Sequence, residues 1–328
     1  MPQARYRLIH TPTTPYYHCV ARCVRRAFLC GIDRLTGRSF DHRKQWILDR
    51  IKQISSVFAV DVCAYAIMSN HFHLVLYVDV EAAEKLSFDE VIDRWLLLFK
   101  GPPVAQKYKS GSPLTTIEQN SLANWVEVWR DRLKDLSWYM RCLNENIARR
   151  ANAEDECKGR FWEGRFHSQA LLDEAAVVSC MAYVDLNPIR ANLCRSLKDS
   201  EFTSIQERLH RNSSGSKDSN DTPWLKPLAG EECRQTLSSL PLRESDYFAL
   251  VDWTGRAIRD DKRGAIPSSV QPILQQLGVH QEGWVNNTRH FGNRFHRALG
   301  RINQIRRLAR QSGQQWVTGL TQASAFYH

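Results

Sequence analysis

The stretch Ala64–Asp79, AYAIMSNHFHLVLYVD, constrains this chain more than any other. Leu74-Val75-Leu76-Tyr77-Val78 is a β-branched and aromatic run, which predicts a buried strand over Phe72–Val78. Phe58–Met68 reads as the strand before it, and Ser69-Asn70 as the tight turn that joins the two. Successive side chains on a strand point to opposite faces. His71 and His73 therefore project together, and Phe72 turns into the core. Two imidazoles side by side on a rigid strand offer two nitrogen ligands to a divalent metal. A His-apolar-His triplet also arises by chance in a chain with 11 histidines, so the spacing gains weight only from a second segment.

That segment is Ala182–Leu193, AYVDLNPIRANL. Asp173 is placed to cap a helix running through Ala176, Val177, Cys180, Met181 and Val184 to Asn187. Tyr183 and Asn187 are four apart and share a face of it. Pro188 disfavours helical backbone at Asn187, so one helix ends there and another starts with proline in its first turn. Asn187 is then expected at an exposed junction with its amide free to bind. A metal would take nitrogen from His71 and His73 and oxygen from Asn187. Its open positions would take water or phosphate oxygens, which suits Mg²⁺ or Mn²⁺. Taken alone, a helical tyrosine is usually a core residue and such an asparagine a cap; the histidine pair tips the reading toward a site.

Four more elements complete a rhythm. Tyr16–Cys23 alternates as a strand, and Arg165–Leu172 reads as another. Asp41 caps a helix with Trp46, Ile47, Ile51 and Ile54 inward, and Ser137 caps one with Met140, Leu143 and Ile147 inward. The core order is β, α, β, β, α, β, α. It predicts an α+β fold with a ferredoxin-like, split βαβ antiparallel sheet and helices on one face. Residues 81–136 interrupt this order as a helical insertion: a helix over Phe88–Lys100, a Gly/Pro/Ser loop over Gly101–Pro113 and an amphipathic stretch around Trp125–Leu136. The polar run Arg211–Pro223 reads as a linker, dividing a first domain at 1–210 from a mostly helical, basic one at 224–328.

The chain has no run of 18 apolar residues, so no transmembrane helix is expected, and Met1–Pro15 lacks an apolar signal core. Nine cysteines with no CxxC pair suggest reduced thiols and a cytoplasmic, nucleoid-associated location. The net charge of +10 favours a polyanion, either nucleic acid or an anionic membrane surface. Aromatics set among cations, as in Lys158–Phe166, favour nucleic acid, because rings can stack unpaired bases while cations follow phosphates. From Gly283 to His328 there is no Asp or Glu. Phe291, Phe295, Ala298, Ile302, Ile305 and Ala309 recur there at helical steps, predicting one amphipathic helix. Arg294, Arg297 and Arg301 would cluster beside that stripe as a clamp on duplex phosphates.

SNHFHLVLYV resembles the HUH motif (His, hydrophobe, His) of single-tyrosine transposases, and AYVDLNPIRANL resembles their Tyr-x-x-x-Asn-Pro segment. FLCGIDRLTGRSFDHRKQWILDRI and GRFWEGRFHSQALL are similar to segments of the REP-associated tyrosine transposases, with weaker similarity in VDWTGRAIRDDKRGAIP. The resemblance spans roughly 17–197 and implies an HUH endonuclease fold. It implies that Tyr183 attacks a phosphodiester of single-stranded DNA, forming a 5′-phosphotyrosine and releasing a 3′-hydroxyl, with a metal on His71, His73 and Asn187. It implies recognition of hairpins beside a single strand, for which Arg160, Trp162 and Arg165 are candidates. Ser69 stands where the family often has proline, which affects the turn and not the ligands. Two other functions are compatible with this pattern: a catalytically silent nucleic-acid-binding regulator, and a rolling-circle initiator or relaxase. Tyr139 is the rival nucleophile, and the oligomeric state, monomer or dimer, is not readable from the residues.

Overall fold

The structure, a computed structural model, describes residues 8–24, 29–33, 36–213, 224–228, 240, 242–258, 267–294, 297–314 and 318–327. Four strands form the centre: β1 (Tyr16–Arg22), β2 (Val60–Ile67), β3 (His71–Val78) and β4 (His167–Leu171). The turn expected at Ser69-Asn70 joins β2 to β3, with Met68 N–H donating to the His71 carbonyl at 2.9 Å. A fifth strand, β5 (Ala298–Leu299), completes the order β2-β3-β1-β4-β5. The first four pair antiparallel, and β5 joins β4 in parallel.

The register of the central strand fixes the two faces. Tyr16, His18, Val20 and Arg22 stand opposite Tyr77, Val75, His73 and His71, and so share a face with them. Tyr17, Cys19, Ala21 and Phe72 point the other way, into a fully packed layer. That second face is covered by α1 (His42–Val57) and α6 (Leu136–Glu154). Phe72 meets the Trp162 ring edge-on at 5.7 Å, and the Trp162 indole donates to the Asn144 carbonyl of α6 at 2.8 Å. Asp41 does sit at the N-cap of α1 but makes no side-chain cap bond. The cap of α6 is Asp135 and not Ser137: its carboxylate accepts from the N–H groups of Ser137 and Trp138.

Helices on one face describes only α1 and α6. The histidine face is covered by α7 (Glu174–Asp185), capped by Asp173 as expected, followed by the short α8 (Asn187–Arg190) and α9 (Ser204–Ser213). The insertion folds as α2 (Val80–Lys85), α3 (Phe88–Leu96), α4 (Pro103–Lys109) and α5 (Thr116–Leu133). Its two long helices start from capping boxes, Ser87 with Glu90 and Thr115 with Glu118. Trp95 stacks on Trp129 and Phe99 at 5.6 and 4.3 Å.

Most of the expected linker, residues 214–223, lies outside the described residues. The segments beyond it close both edges of the sheet. Lys226 N–H donates to the Val62 carbonyl of β2, and along β4 the Ala170 and Leu172 N–H groups donate to the Arg297 and Leu299 carbonyls at 2.8 Å. An open strand edge is a row of unsatisfied donors and acceptors, so covering it stabilises the fold and blocks edge pairing. The remaining helices are α10 (Glu244–Ile258), α11 (Gln271–Leu277), α12 (Gln281–Arg294), α13 (Ile302–Gln311) and α14 (Leu320–Phe326). The single basic helix expected across Phe291–Ala309 is therefore two helices broken by β5. The helical spacing is real in sequence, but Ala298–Leu299 pair in parallel with the edge of β4 instead of continuing the helix. Arg297 and Arg301 flank that strand and do not share a helix face. Arg297 donates to Gln314 at 2.7 Å, and Arg301 sits at the N-cap of α13 with its backbone N–H on Asp173. The side chains of Arg294 and Phe295 lie outside the description.

Asp185, fully buried, ties α7 to this late chain. Its carboxylate accepts from Ser204 Oγ and Tyr247 Oη, both at 2.5 Å, and from Ile205 N–H at 2.9 Å. Burial raises its pKa to about 6, and the hydrogen bonds limit the rise. An acid whose pKa is raised by folding holds a proton that the unfolded chain has lost, so its contribution fades as pH climbs from 3.8 to about 6. Asp185→Asn removes this linkage. In urea melts, wild type should lose about 2–3 kcal/mol relative to the variant over that interval, as expected for a shift of this size. A wild-type-minus-variant difference that stays level with pH would refute the assignment.

Candidate functional site

A pocket of about 380 Å³ opens on the histidine face, lined by His18, Arg22, His71, His73, Glu163, Gln169 and Tyr183, with Phe291 and Gly292 at its roof. His71 and His73 do project together, with ring centroids 4.8 Å apart. Each has one nitrogen occupied and one left over. His71 Nδ1 lies 2.5 Å from Asn70 Oδ1, and His73 Nδ1 lies 2.9 Å from His18 Nε2. His73 Nε2 is buried with no hydrogen-bond partner. Partners on Nδ1 orient an imidazole and leave Nε2 as the donor atom toward a ligand.

All three rings are held neutral, the form that binds metal. Burial is the largest cause for each. It lowers His18 and His71 to about 4, with the Arg22 charge adding to the effect on His71, and it holds His73 well below the usual imidazole range, with His18, His71 and Arg190 adding to the effect. The histidine pair thus fits a divalent ion. Among the described residues, however, no group of three His, Cys, Asp or Glu side chains is arranged to hold one. A third ligand would have to be an amide, a water or a phosphate.

Tyr183 reaches this pocket from α7, its ring edge-on to His18 at 6.0 Å and to His73 at 5.6 Å. Only 7% of it is exposed. Phe291 of α12 stacks on one side at 4.7 Å, and the Arg190 guanidinium lies 4.6 Å from the ring centroid. Arg190 is itself fixed by donating to the Arg289 carbonyl at 2.7 Å. Gly292 brings the backbone close to the tyrosine: a Cβ there would lie 3.0 Å from Tyr183 Oη, tighter than ordinary contact. The roof follows a kink, with His290 at φ −117°, ψ 16° inside α12.

Other expected residues fall elsewhere. Asn187 is at the α7–α8 junction, as Pro188 dictates, but it is buried, its Nδ2 has no partner, and it is not among the residues lining the pocket. Trp162 is core: 9% exposed, packed on Phe72 and Phe161 with its N–H engaged, so it offers no face to a base. Arg160 and Arg165 are exposed on the loop before β4. Tyr139 is fully buried on the opposite sheet face with its hydroxyl on Ser55 Oγ at 2.9 Å, which removes it as a rival nucleophile. His18 and Gln169 went unnoticed in the sequence, and Phe291 entered only as part of an apolar helical stripe. His18 was within reach, since it alternates with Tyr16 and Val20 on a predicted strand, but its neighbour is set by strand order.

No protein-family model matches this chain, and no curated protein does. Among solved structures, that of a REP-associated tyrosine transposase bound to a REP hairpin is similar at a TM-score of 0.37 and 13% identity, over 70% of this chain and all of that one. A likeness of that size is too slight to assign a family. No helix among the described residues is long and apolar enough to cross a membrane.

With chelator present, the imidazole C–H resonances of His18 and His71 should stay unchanged from neutral pH to near 5 and move only around pH 4. Because folding lowers these pKa values, the stability they contribute is present above 6.5 and is lost as pH falls toward 4. Titration of either ring near 6.5 would contradict the buried, neutral cluster.

Proposed function

We propose that this protein is a metal-dependent single-stranded DNA nickase and strand-transferase with Tyr183 as its nucleophile. The observation that carries the reading is the meeting of Tyr183 with the His71/His73 pair in one pocket, with His73 Nε2 left without a partner. The antiparallel β1–β4 arrangement backed by α1 and α6 suits a ferredoxin-like, HUH-type scaffold. The net charge of +10 suits a DNA substrate carrying a hairpin beside a single strand.

In this reading Tyr183 Oη attacks the scissile phosphorus. The new tyrosyl O–P bond forms as the P–O3′ bond breaks, leaving a 5′-phosphotyrosine and a 3′-hydroxyl. The phenol gives up its proton, and the departing O3′ gains one. Mg²⁺ or Mn²⁺, when bound, supplies polarisation of the phosphate. His71 and His73 would hold that ion through ring nitrogen, with His18 keeping His73 oriented. The third ligand would be Asn187, if its amide turned inward, or Gln169, which already lines the pocket. Arg22 and Arg190 add positive charge where the phosphate would sit.

Burial of Tyr183 under Phe291 and Gly292 favours a second reading, a nucleic-acid-binding protein that does not cleave. One assay separates them. Hairpin-flanked single-stranded DNA, labelled and incubated with wild type in Mg²⁺, should give a slower covalent band on a denaturing gel. Tyr183→Phe should bind equally and give none. His71→Ala and His73→Ala should each lower cleavage by roughly a hundred-fold or more with an unchanged circular dichroism spectrum. Binding without any adduct from wild type would establish the second reading instead.

A further inference from the structure

A second concavity, of about 650 Å³, lies on the far side of the molecule, in the outer surface of the α1/α6 layer. Arg50 of α1 and Arg141, Arg149 and Arg150 of α6 line it, with Trp138, Glu145 and Phe99 between them. Trp138, Arg141, Glu145 and Arg149 follow one another at three- and four-residue steps, so they rise along one face of α6. From Trp138 to Arg149 that face runs about 16 Å, at 1.5 Å per residue.

Four guanidiniums here face a single carboxylate. Glu145 is shared between Arg141 at 3.4 Å and Arg149 at 2.5 Å, and it leaves most of the charge unbalanced. The cations are also held in place. Arg150 lies 3.7 Å from the Trp46 ring centroid, and Arg141 and Arg132 lie 5.0 and 4.3 Å from that of Trp138. Arg50 donates to the Cys142 carbonyl and to Gln53. Guanidiniums backed by rings lose less freedom when they bind, and their planar fork matches phosphate oxygens. Trp138 is already engaged by two cations, so the ring serves the arginines and is not a platform for bases.

We propose that this pocket is a second nucleic-acid site, one that grips the phosphate backbone of DNA away from the Tyr183 pocket. A flat anionic membrane would not reach into a concavity, whereas a strand can lie in one. The stripe is long enough to follow about five phosphates at 3.4 Å per strand step. Because the contact is to the backbone, it raises affinity without reading sequence. It stands independently of any role for Tyr183.

The test uses the full chain, fluorescence anisotropy and labelled mixed-sequence DNA across a range of salt concentrations. Arg149→Ala with Arg150→Ala should weaken binding about ten-fold and flatten the log–log salt dependence by nearly two units, one for each lost contact. Arg149→Lys with Arg150→Lys should restore most of the slope, because a lysine still neutralises a phosphate. Arg149 is 79% exposed, so its single alanine variant keeps the fold and should flatten the slope by about one unit. The same losses should appear in a Tyr183→Phe background, which separates this site from the cleavage chemistry. Affinity and slope equal to wild type in the double alanine variant would overturn the proposal. So would calorimetric saturation by inorganic phosphate alone that the double variant abolishes, since that would make the pocket a small-anion site.

Discussion

Everything on the histidine face depends on the antiparallel register of β1 between β3 and β4. A shift of one residue would send His18 and Arg22 to the packed side and bring Cys19 and Ala21 to the pocket. The pairing of Val20 with His73 prevents this, because the other face of β1 is buried against α1 and α6 and tolerates only Tyr17, Cys19 and Ala21. The hydrogen bond between His18 and His73 is thus a consequence of core packing on the opposite side of the sheet. The core sets the register, the register sets the ring orientation, and the ring orientation leaves Nε2 facing the pocket.

The late chain acts on the same site from above. Residues 281–294 place Phe291 against Tyr183 and bring backbone close over its hydroxyl, while Tyr247 holds Asp185 two residues further along α7. Two buried ionisable sets flank Tyr183 and respond oppositely to acid. Between pH 4 and 6 Asp185 stabilises the fold as pH falls, whereas the neutral histidines lose their contribution. Their slopes partly cancel, so the interval in which both titrate is one in which total stability changes less than either group alone would make it. A charge on α7 and a charge on β3 are in this sense balanced through the element that carries the tyrosine.

The elements of the first two hundred residues were legible because their signals are local. The β2–β3 hairpin, the Asp173 cap and the Pro188 break each rest on neighbours within four positions. The insertion was legible as a departure from rhythm, although the short α4 was hidden in a Gly/Pro-rich stretch. What sequence could not supply is long-range pairing. A hydrophobic period of three and four residues in 291–309 specifies a helix only if no strand edge competes, and the edge of β4 does. Trp162, flanked by charges in sequence, turns inward because Phe72 on β3 offers its ring a partner. His18 has a neutral local context, and only the strand order places it against His73.

On the proposed DNA-processing reading, both cationic surfaces would meet the phosphate backbone. In the Tyr183 pocket the imidazoles, Arg22 and the phenol would face a phosphate, beside the polar side chains of Glu163, Ser168 and Gln169. In the arginine pocket the ring that could stack a base already carries two cations. Backbone contacts position a strand but hold no sequence information. On that reading any preference for one target would come from the shape of the nucleic acid or from contacts elsewhere, such as Arg160 and Arg165, exposed on the loop before β4. If both proposals hold, shape would favour a substrate whose single strand enters the histidine face while its flank lies against α6. Those two surfaces are separated by the thickness of the sheet and one helical layer. A simple unbranched strand would have to wrap the sheet edge to occupy both, whereas a strand folded back on itself presents phosphates in two directions at once.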